Sequence, residues 1–169
     1  MKAEIESDRT INNRRGRVPA SNEKEKKLTV PDVDFCLEQN KQAPSIDDWL
    51  REAKQLQYAG KIGMYLIHNG VVRKTARRTA REGVPGPEVT GMVFDYDKKR
   101  VKSVIDETYR MEGIYHIRVW LNRGILMPGD DLMYVLVGGD TRPHIIEGFQ
   151  FLIGALKSRC VVEKELYQS

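Results

Sequence analysis

The chain has 169 residues, of which 40% are apolar, and its 28 basic and 24 acidic residues give a formal charge of +4. This length suits one domain with a tail, and so small an excess of positive charge does not indicate an obligate nucleic-acid binder. No run of eighteen apolar residues occurs, so we expect no membrane-spanning helix. The two cysteines, Cys36 and Cys160, are too few for a disulfide scaffold or a cysteine zinc site.

Residues 1–44 are predicted to form a disordered or extended N-terminal tail, and residues 45–169 a single domain. The tail has few large apolar residues and contains Pro19, Pro31 and Pro44. Burial therefore would not offset the entropy lost on ordering it. Charged residues are spread through its first ten positions, which lack the apolar segment of a secretory signal, so we expect a cytoplasmic protein.

The first half of the domain is predicted to contain one helix and two strands. Ser45 is a suitable N-cap, and apolar residues at helical spacing continue the helix towards Gly60. The apolar run 62–68 predicts a buried strand, and Val89–Tyr96 predicts a second one. The polar segment 73–88, which ends in Pro-Gly-Pro, is predicted to be a loop.

The second half is predicted to alternate between helices and strands. Asp97 can cap a helix that ends at Gly113, and Pro143 favours the first turn of another helix. The predicted strands are Ile114–Leu121, Leu132–Val137 and Cys160–Tyr167. From residue 89 onward the order is β-α-β-β-α-β, which is typical of a ferredoxin-like, two-layer core. The sequence therefore predicts an α+β fold.

The net excess of positive charge lies between residues 73 and 100, which include eight basic and four acidic residues. Its densest part, Arg73–Arg81, has five cations in nine residues. A solvated loop is the ordinary interpretation of such a run. The alternative is a site for an anion or for an acidic partner, and position along the chain does not decide between the two.

The residues that could carry chemistry are cationic, because the sequence has no recognisable catalytic triad, P-loop or dinucleotide-binding glycine motif. Arg73 follows a predicted strand. Arg142 lies at the start of the last predicted helix, where a phosphate or carboxylate could bind. A plain surface arginine is the alternative for either residue. Lys157 and Lys164 flank the last helix-to-strand junction, and are either solvated or placed in a pocket as nucleophile or electrostatic clamp.

The three histidines do not indicate a metal site. They are scattered along the chain, without carboxylate or cysteine neighbours at ligand spacing. His68 and His116 fall within predicted strands, where we expect structural histidines with satisfied hydrogen bonds.

Short motifs in the second half of the chain resemble the large, catalytic subunit of molybdopterin synthase. Their order and ungapped spacing carry the resemblance, rather than any single motif. The motifs are a Pro-Gly-Asp turn within Met127–Asp131, Arg142 ahead of Glu147 and Gln150-Phe151, the sequence Leu156-Lys157-Ser158-Arg159, Lys164 seven positions after Lys157, and Asn69–Arg73 upstream.

The resemblance implies a role in molybdenum cofactor biosynthesis. Such subunits convert cyclic pyranopterin monophosphate to molybdopterin by adding two sulfur atoms. The sulfur arrives as a thiocarboxylate on the C-terminal Gly-Gly tail of a small ubiquitin-like carrier subunit, and the step needs no metal or other cofactor. The resemblance also implies a homodimer of the large subunit, and hence a heterotetramer with the carrier. The pocket of each large subunit can then include residues of the second copy. The implied fold is an α/β hammerhead joined to a two-layer α+β unit.

Two lysines, Lys157 and Lys164, are implied as catalytic residues, since developing oxyanions need nearby cations. We expect both to converge on one pocket through a bend at Ser158–Cys160. Thr141 stands where the family has a histidine able to shuttle a proton. The residues expected to bind the substrate are Arg73, Arg142, Thr141, Arg159, Arg77 and Arg78.

Two other functions remain open. The first is a non-catalytic module of the same fold that binds a carrier protein, which Thr141 favours and the retained lysines and arginines oppose. The second is a nucleic-acid-binding protein that uses Arg73–Arg81. It ranks last, because Phe94 is the only aromatic residue between Arg73 and Tyr96 that could stack on bases.

Overall fold

The computed structural model describes residues 42–167. Residues 1–41 and 168–169 lie outside the described residues. The tail prediction for residues 1–44 falls almost entirely there and stays a prediction. Within the described part of the chain, no helix combines the length and the apolar character needed to cross a membrane.

Residues 42–167 form four α-helices and six strands. The order is α1 (Ile46–Ala53), a 3₁₀ turn (Ala59–Lys61), β1 (Met64–Val71), α2 (Arg77–Glu82), β2 (Val89–Tyr96), α3 (Lys98–Tyr109), β3 (Ile114–Leu121), β4 (Gly124–Leu126), β5 (Asp131–Gly139), α4 (Arg142–Ala155), a π-helical turn (Leu156–Cys160) and β6 (Val161–Tyr167).

The strands form two antiparallel three-stranded sheets, β1-β5-β3 and β4-β2-β6. The α+β class and the β-α-β-β-α-β order are confirmed, with β4 inserted between β3 and β5. The four strands of that order are nevertheless divided between two sheets. A single ferredoxin-like sheet needs β2 beside β5. Here β1 occupies that edge of β5, with Met64 opposite Gly139 and His68 opposite Val135.

One apolar core joins the two sheets to the longer helices. Phe94 of β2, Ile105 of α3, Val137 of β5 and Leu152 of α4 are fully buried members of this core. Helices α3 and α4 pack against each other, and α4 also packs on β5 and β1. Burial of this many apolar side chains is the main favourable contribution to folding.

Local capping explains where two of the helices begin. The Ser45 hydroxyl accepts the N–H of Asp48 at 3.2 Å, as expected of an N-cap. The Asp97 carboxylate accepts the N–H groups of Lys99 and Arg100 at 2.8 and 3.1 Å. The predicted start of each helix is therefore confirmed.

In the first half of the domain, the predictions differ from the structure in three places. The first helix ends at Ala53 rather than near Gly60, and the following strand runs over Met64–Val71 rather than 62–68. The predicted loop 73–88 contains a six-residue helix, α2, which ends at Gly83 in the left-handed region with φ of 68°. The sequence pattern of this segment did not predict α2, because the helix has no buried residue and no apolar stripe.

Candidate active site

A cleft of about 290 Å³ opens where the end of β1, helix α2, the π-helical turn and β6 meet. Met92 and Leu132 form part of its apolar wall. Its charged lining residues are Arg73, Arg77, Arg81, Lys157, Glu163 and Glu165. Four cationic side chains thus face two carboxylates in one concave site.

Helix α2 contributes two arginines to this cleft. Arg77 and Arg81 are four residues apart, so they lie on the same side of the helix, and both line the cleft. Arg78, also predicted to bind substrate, is not among the lining residues. Its Nε donates to Glu82 at 3.1 Å on the exposed surface. Helix geometry therefore separates two adjacent arginines that the sequence grouped together.

Arg73 reaches the cleft from the segment that follows β1. Its Nε donates to the backbone carbonyl of Thr75 at 2.8 Å. That bond uses one of its five donors, so the remaining guanidinium N–H groups can still bind an anion. The predicted position of Arg73 in an anion site is consistent with this arrangement.

Lys157 is presented to the cleft by the π-helical turn that ends α4. Such turns are rare and often occur at functional sites. The Lys157 side chain as a whole is exposed, and the protein around it removes only part of the water from its amine. This partial desolvation lowers the pKa of Lys157, and the positive charges of Arg77, Arg81 and Arg73 lower it further. The uncharged amine is therefore more accessible here than on an ordinary surface lysine.

His68 on β1 is electrostatically coupled to this lysine. Burial lowers the pKa of His68, and the charge of Lys157 lowers it further. The imidazole packs edge-on against Phe149 at 6.3 Å. Its Nε2 is buried without a hydrogen-bond partner among the described residues. The expectation of a satisfied structural histidine is therefore wrong for His68.

His116 fits that expectation only in part. Its Nδ1 lies 3.1 Å from the hydroxyl of Tyr58, whereas its Nε2 is buried without a partner in residues 42–167. Burial lowers the pKa of His116 to about 4. This histidine is therefore uncharged at neutral pH, as a core residue should be.

The side chains of β6 alternate, and the alternation decides which of them reach the cleft. Glu163 and Glu165 are two residues apart, so they share a face and line the cleft. Glu163 forms an ion pair with the Arg77 guanidinium. The Glu165 carboxylate accepts the backbone N–H of Arg77 at 2.9 Å and the hydroxyl of Tyr167 at 2.7 Å. The two carboxylates thereby tie α2 to β6.

Lys164 lies between these glutamates and so projects from the opposite face of β6. It is exposed and pairs across the sheet with Val93, whose other neighbour is Ile125. It does not line the cleft that contains Lys157. Within one chain, the expected convergence of the two lysines on one pocket does not occur, because strand alternation separates them.

Arg142 and Thr141 lie at the other end of α4. Thr141 is the N-cap residue, and its backbone N–H donates to the Asp140 carboxylate. Arg142 is exposed in the first turn. Fifteen residues at the rise of a helix put Arg142 about 20 Å from Lys157. A single chain therefore cannot bring both residues to one bound phosphate.

Arg159 is directed away from the cleft. Its guanidinium donates to Glu107 of α3 at 2.8 Å and lies 5.8 Å from the ring centre of Phe151. The Glu107 partner has a lowered pKa, chiefly because of this hydrogen bond. With Arg100 and Ser103, Arg159 borders a separate depression.

Of the eight residues predicted to form the site, the cleft of one chain brings together Arg73, Arg77 and Lys157. Sequence reasoning did not assign roles to Arg81, Glu163 or Glu165. A signal for Arg81 was its spacing of four from Arg77, which becomes informative once the segment is known to be helical.

The fold and the cleft together define an α+β protein with a cationic, lysine-containing site suited to an anionic ligand. The sequence profile described as MoaE protein matches residues 41–159. The chain therefore belongs to the MoaE protein family. Among curated proteins, none matches the chain in sequence.

Solved structures share this fold at low sequence identity. Molybdopterin synthase from Staphylococcus aureus is 17% identical with a TM-score of 0.57, and the match covers 75% of this chain and 88% of that one. The MoaE protein of Burkholderia ambifaria MC40-6 is 16% identical with a TM-score of 0.56, covering 75% and 85%. A complex of subunits 1 and 2 of molybdopterin-converting factor from Helicobacter pylori 26695 matches at 16% identity and a TM-score of 0.54, covering 75% and 81%.

Proposed function

We propose that this chain is the large subunit of a molybdopterin synthase, which transfers sulfur to a cyclic pyranopterin monophosphate. The observation that carries the proposal is the position of Lys157, whose amine shares a cleft with Arg73, Arg77 and Arg81. Membership of the MoaE protein family supports it. So does the resemblance in fold to structures titled as molybdopterin synthase and molybdopterin-converting factor.

The arginines suit the phosphate of such a substrate. Guanidinium groups bind phosphate oxygens through paired, charge-assisted hydrogen bonds. Arg73 and Arg81 line the cleft, and no ion pair ties either one to a carboxylate in residues 42–167. These two side chains are therefore the first candidates to hold the phosphate.

A small carrier subunit supplies the sulfur in this proposal. The Helicobacter pylori structure is titled as a complex of two different subunits, which supports such a partner. The thiocarboxylated tail enters the cleft and its terminal carbonyl meets the Lys157 amine. The thiocarboxylate sulfur attacks a substrate carbon and displaces an oxygen from it, which joins tail and substrate as a thioester. Water then hydrolyses this thioester, so the sulfur stays on the substrate and the tail leaves as a carboxylate. Nearby arginines stabilise the negative charge that develops on the way.

The uncharged form of Lys157 is the one that we assign to this step. Three arginines already supply positive charge and keep their protons, whereas the amine of the lysine can lose its proton. A neutral amine can accept the proton of the water that attacks the thioester carbonyl. The lowered pKa of Lys157 favours that form.

A second copy of the chain completes the site in our proposal. Arg142 is about 20 Å from Lys157 along α4, so its proposed contact with the substrate requires another subunit. A homodimer in which α4 of one subunit begins near the cleft of its partner meets this requirement. Together with the carrier, the dimer forms a heterotetramer.

The test is single-turnover conversion of the pyranopterin by purified protein and thiocarboxylated carrier. Lys157→Ala should lower the rate by about a hundredfold or more while the complex with the carrier still forms in gel filtration. Lys157→Arg should be equally impaired, because a guanidinium keeps the charge but cannot deprotonate. Lys102→Ala, at an exposed position of α3 outside the cleft, is the control with wild-type turnover.

Two outcomes would change the assignment. A wild-type rate in Lys157→Ala would remove the catalytic role and leave the carrier-binding module as the better account. A wild-type rate in Lys157→Arg alone would assign the lysine a purely electrostatic role. Lys164→Ala should lose less turnover than Lys157→Ala, because Lys164 projects from the opposite face of β6.

A further inference from the structure

Glu163 lines the cleft, and one of its carboxylate oxygens has no hydrogen-bond partner among the described residues. Its side chain is 9% exposed, and one carboxylate oxygen, Oε2, is paired with the Arg77 guanidinium. The other oxygen, Oε1, is buried and has no hydrogen-bond partner among residues 42–167. Buried carboxylate oxygens are nearly always paired, since leaving one without a donor costs free energy.

The carboxylate of Glu165, two residues further along β6, differs in that both of its oxygens accept hydrogen bonds. Glu165 lines the same cleft from the same face of β6. Its Oε1 accepts the N–H of Arg77, and its Oε2 accepts the hydroxyl of Tyr167. The open acceptor at Glu163 is therefore a specific property of that residue, not of carboxylates on this strand in general.

A carboxylate also affects which anions the cleft accepts. The arginines attract a phosphate, whereas the negative charge of Glu163 opposes it. A ligand that places an N–H donor on Glu163 Oε1 gains a charge-assisted hydrogen bond that offsets this repulsion. A simple anion has no such group. The combination therefore favours ligands that carry a phosphate and an N–H edge together.

We propose that Glu163 is a specificity-determining residue that accepts an N–H hydrogen bond from the heterocycle of a phosphate ester held by the cleft arginines. The chemical class is a phosphate ester with a 2-amino-4-oxopyrimidine edge, as in pterins and guanine. The identification of the natural member as a pterin rests on the proposed function. The recognition of the N–H edge rests on Glu163 alone.

The experiment compares phosphate esters with and without this edge, by isothermal titration calorimetry on the full chain. The probes are phenyl phosphate, which has no N–H donor on its ring, guanosine monophosphate and a pterin phosphate. The wild-type protein should bind at least one of the two N–H-bearing esters about tenfold more tightly than phenyl phosphate. Equal affinity for all three would overturn the proposal without any variant.

Glu163→Gln then separates recognition from charge. Because Arg77 holds one end of the side chain, the amide NH₂ takes the place of Oε1 and presents a donor to the ligand's donor. The preference for the N–H-bearing ester should fall about tenfold, while phenyl phosphate binds as well as before or more tightly. Glu165→Gln is the matched control, since it removes the same charge from the same cleft but no open acceptor. It should leave the preference unchanged.

The remaining outcomes are equally decisive. Parallel loss of all binding in Glu163→Gln, with or without a fall in melting temperature, would assign Glu163 to support of α2 and overturn the proposal. An unchanged preference in Glu163→Gln would overturn it as well. Selective binding of guanosine monophosphate but not of the pterin would uphold the role of Glu163 and contradict the proposed pterin substrate.

Discussion

The Glu165 carboxylate accepts the backbone N–H of Arg77 at 2.9 Å across 88 residues of sequence. Helix α2 has no side-chain cap of its own, because its N-cap residue is Ala76. The last strand therefore supplies the acceptor that a serine or aspartate would supply locally. This contact holds the helix that presents Arg77 and Arg81 to the cleft.

Removing this cap should loosen α2 without unfolding the domain. Replacing Glu165 by Ala leaves the Arg77 N–H without its acceptor, at a cost of about 1 kcal/mol. Amide exchange at Ala80 and Gly83, whose N–H groups form the helix's own bonds, should become about fivefold faster. Glu165→Gln keeps an acceptor oxygen and should exchange like the wild type. If the amides of α2 exchanged no faster in Glu165→Ala than in Glu165→Gln, the hydrogen bond to the Arg77 N–H would contribute nothing to the stability of the helix.

Replacement of Arg73 and replacement of Arg78, five positions later in the same basic segment, should affect anion binding differently. Arg73→Ala should weaken binding of a phosphate ester by about tenfold to a hundredfold, the usual loss for a charge-assisted contact. Arg78→Ala is the matched control, because Arg78 pairs with Glu82 on the exposed surface. Calorimetric titration of both variants measures the difference. Equal weakening would indicate a diffuse field of positive charge rather than direct contact.

Mixed dimers test whether Arg142 acts on the cleft of a partner subunit. Lys157→Ala and Arg142→Ala each disable every site of their own homodimer. If one site combines Lys157 of one subunit with Arg142 of the other, each mixed dimer regains one intact site. An equimolar mixture after subunit exchange should then recover about a quarter of the wild-type turnover. If the turnover of the mixture were no higher than that of the separate variants, either both residues would act within one chain or Arg142 would have no role in the site.

The stability of the domain should depend on pH through His144 and Asp140. His144 Nδ1 lies 2.8 Å from the Asp140 carboxylate. This contact raises the pKa of His144 above its ordinary 6.5 and lowers the pKa of Asp140 below its ordinary 3.8, with Glu112 a further acidic neighbour at 3.9 Å. The aspartate contribution is present above pH 3.8 and is lost as pH falls through the lowered pKa. The histidine contribution is complete below pH 6.5 and is lost as pH rises through the raised pKa.

Asp140→Asn should reveal this window in thermal unfolding. The difference in melting temperature from the wild type should be largest between about pH 4 and 6.5, where both groups are charged. It should shrink above pH 7.5. Part of it should persist at high pH if the asparagine accepts the Thr141 N–H less well than the carboxylate does. A difference that is the same at every pH would contradict the ionic interaction.

Local sequence determined the elements whose signals lie within a few neighbouring residues. Asp97 predicts the start of α3 because its side chain can reach the next N–H groups. Val89–Tyr96 and Ile114–Leu121 were predicted with the bounds that the structure has. Residue type also marked Arg73 and Lys157 as candidates, since few side chains can bind a phosphate or provide an amine.

Tertiary structure alone decided how these candidates are combined. Strand β1, which is far from β5 in sequence, pairs with the edge of β5 that β2 would occupy in a single sheet. Two sheets therefore form instead of one. The first residue of α2, Arg77, donates to Glu163 and Glu165, which follow it by 86 and 88 positions in the sequence. Strand alternation turns Glu163 into the cleft and Lys164 out of it. The sheet pairing, the contacts of α2 and the directions of Glu163 and Lys164 all depend on contacts between distant segments. A local sequence pattern does not contain the free energies of those contacts.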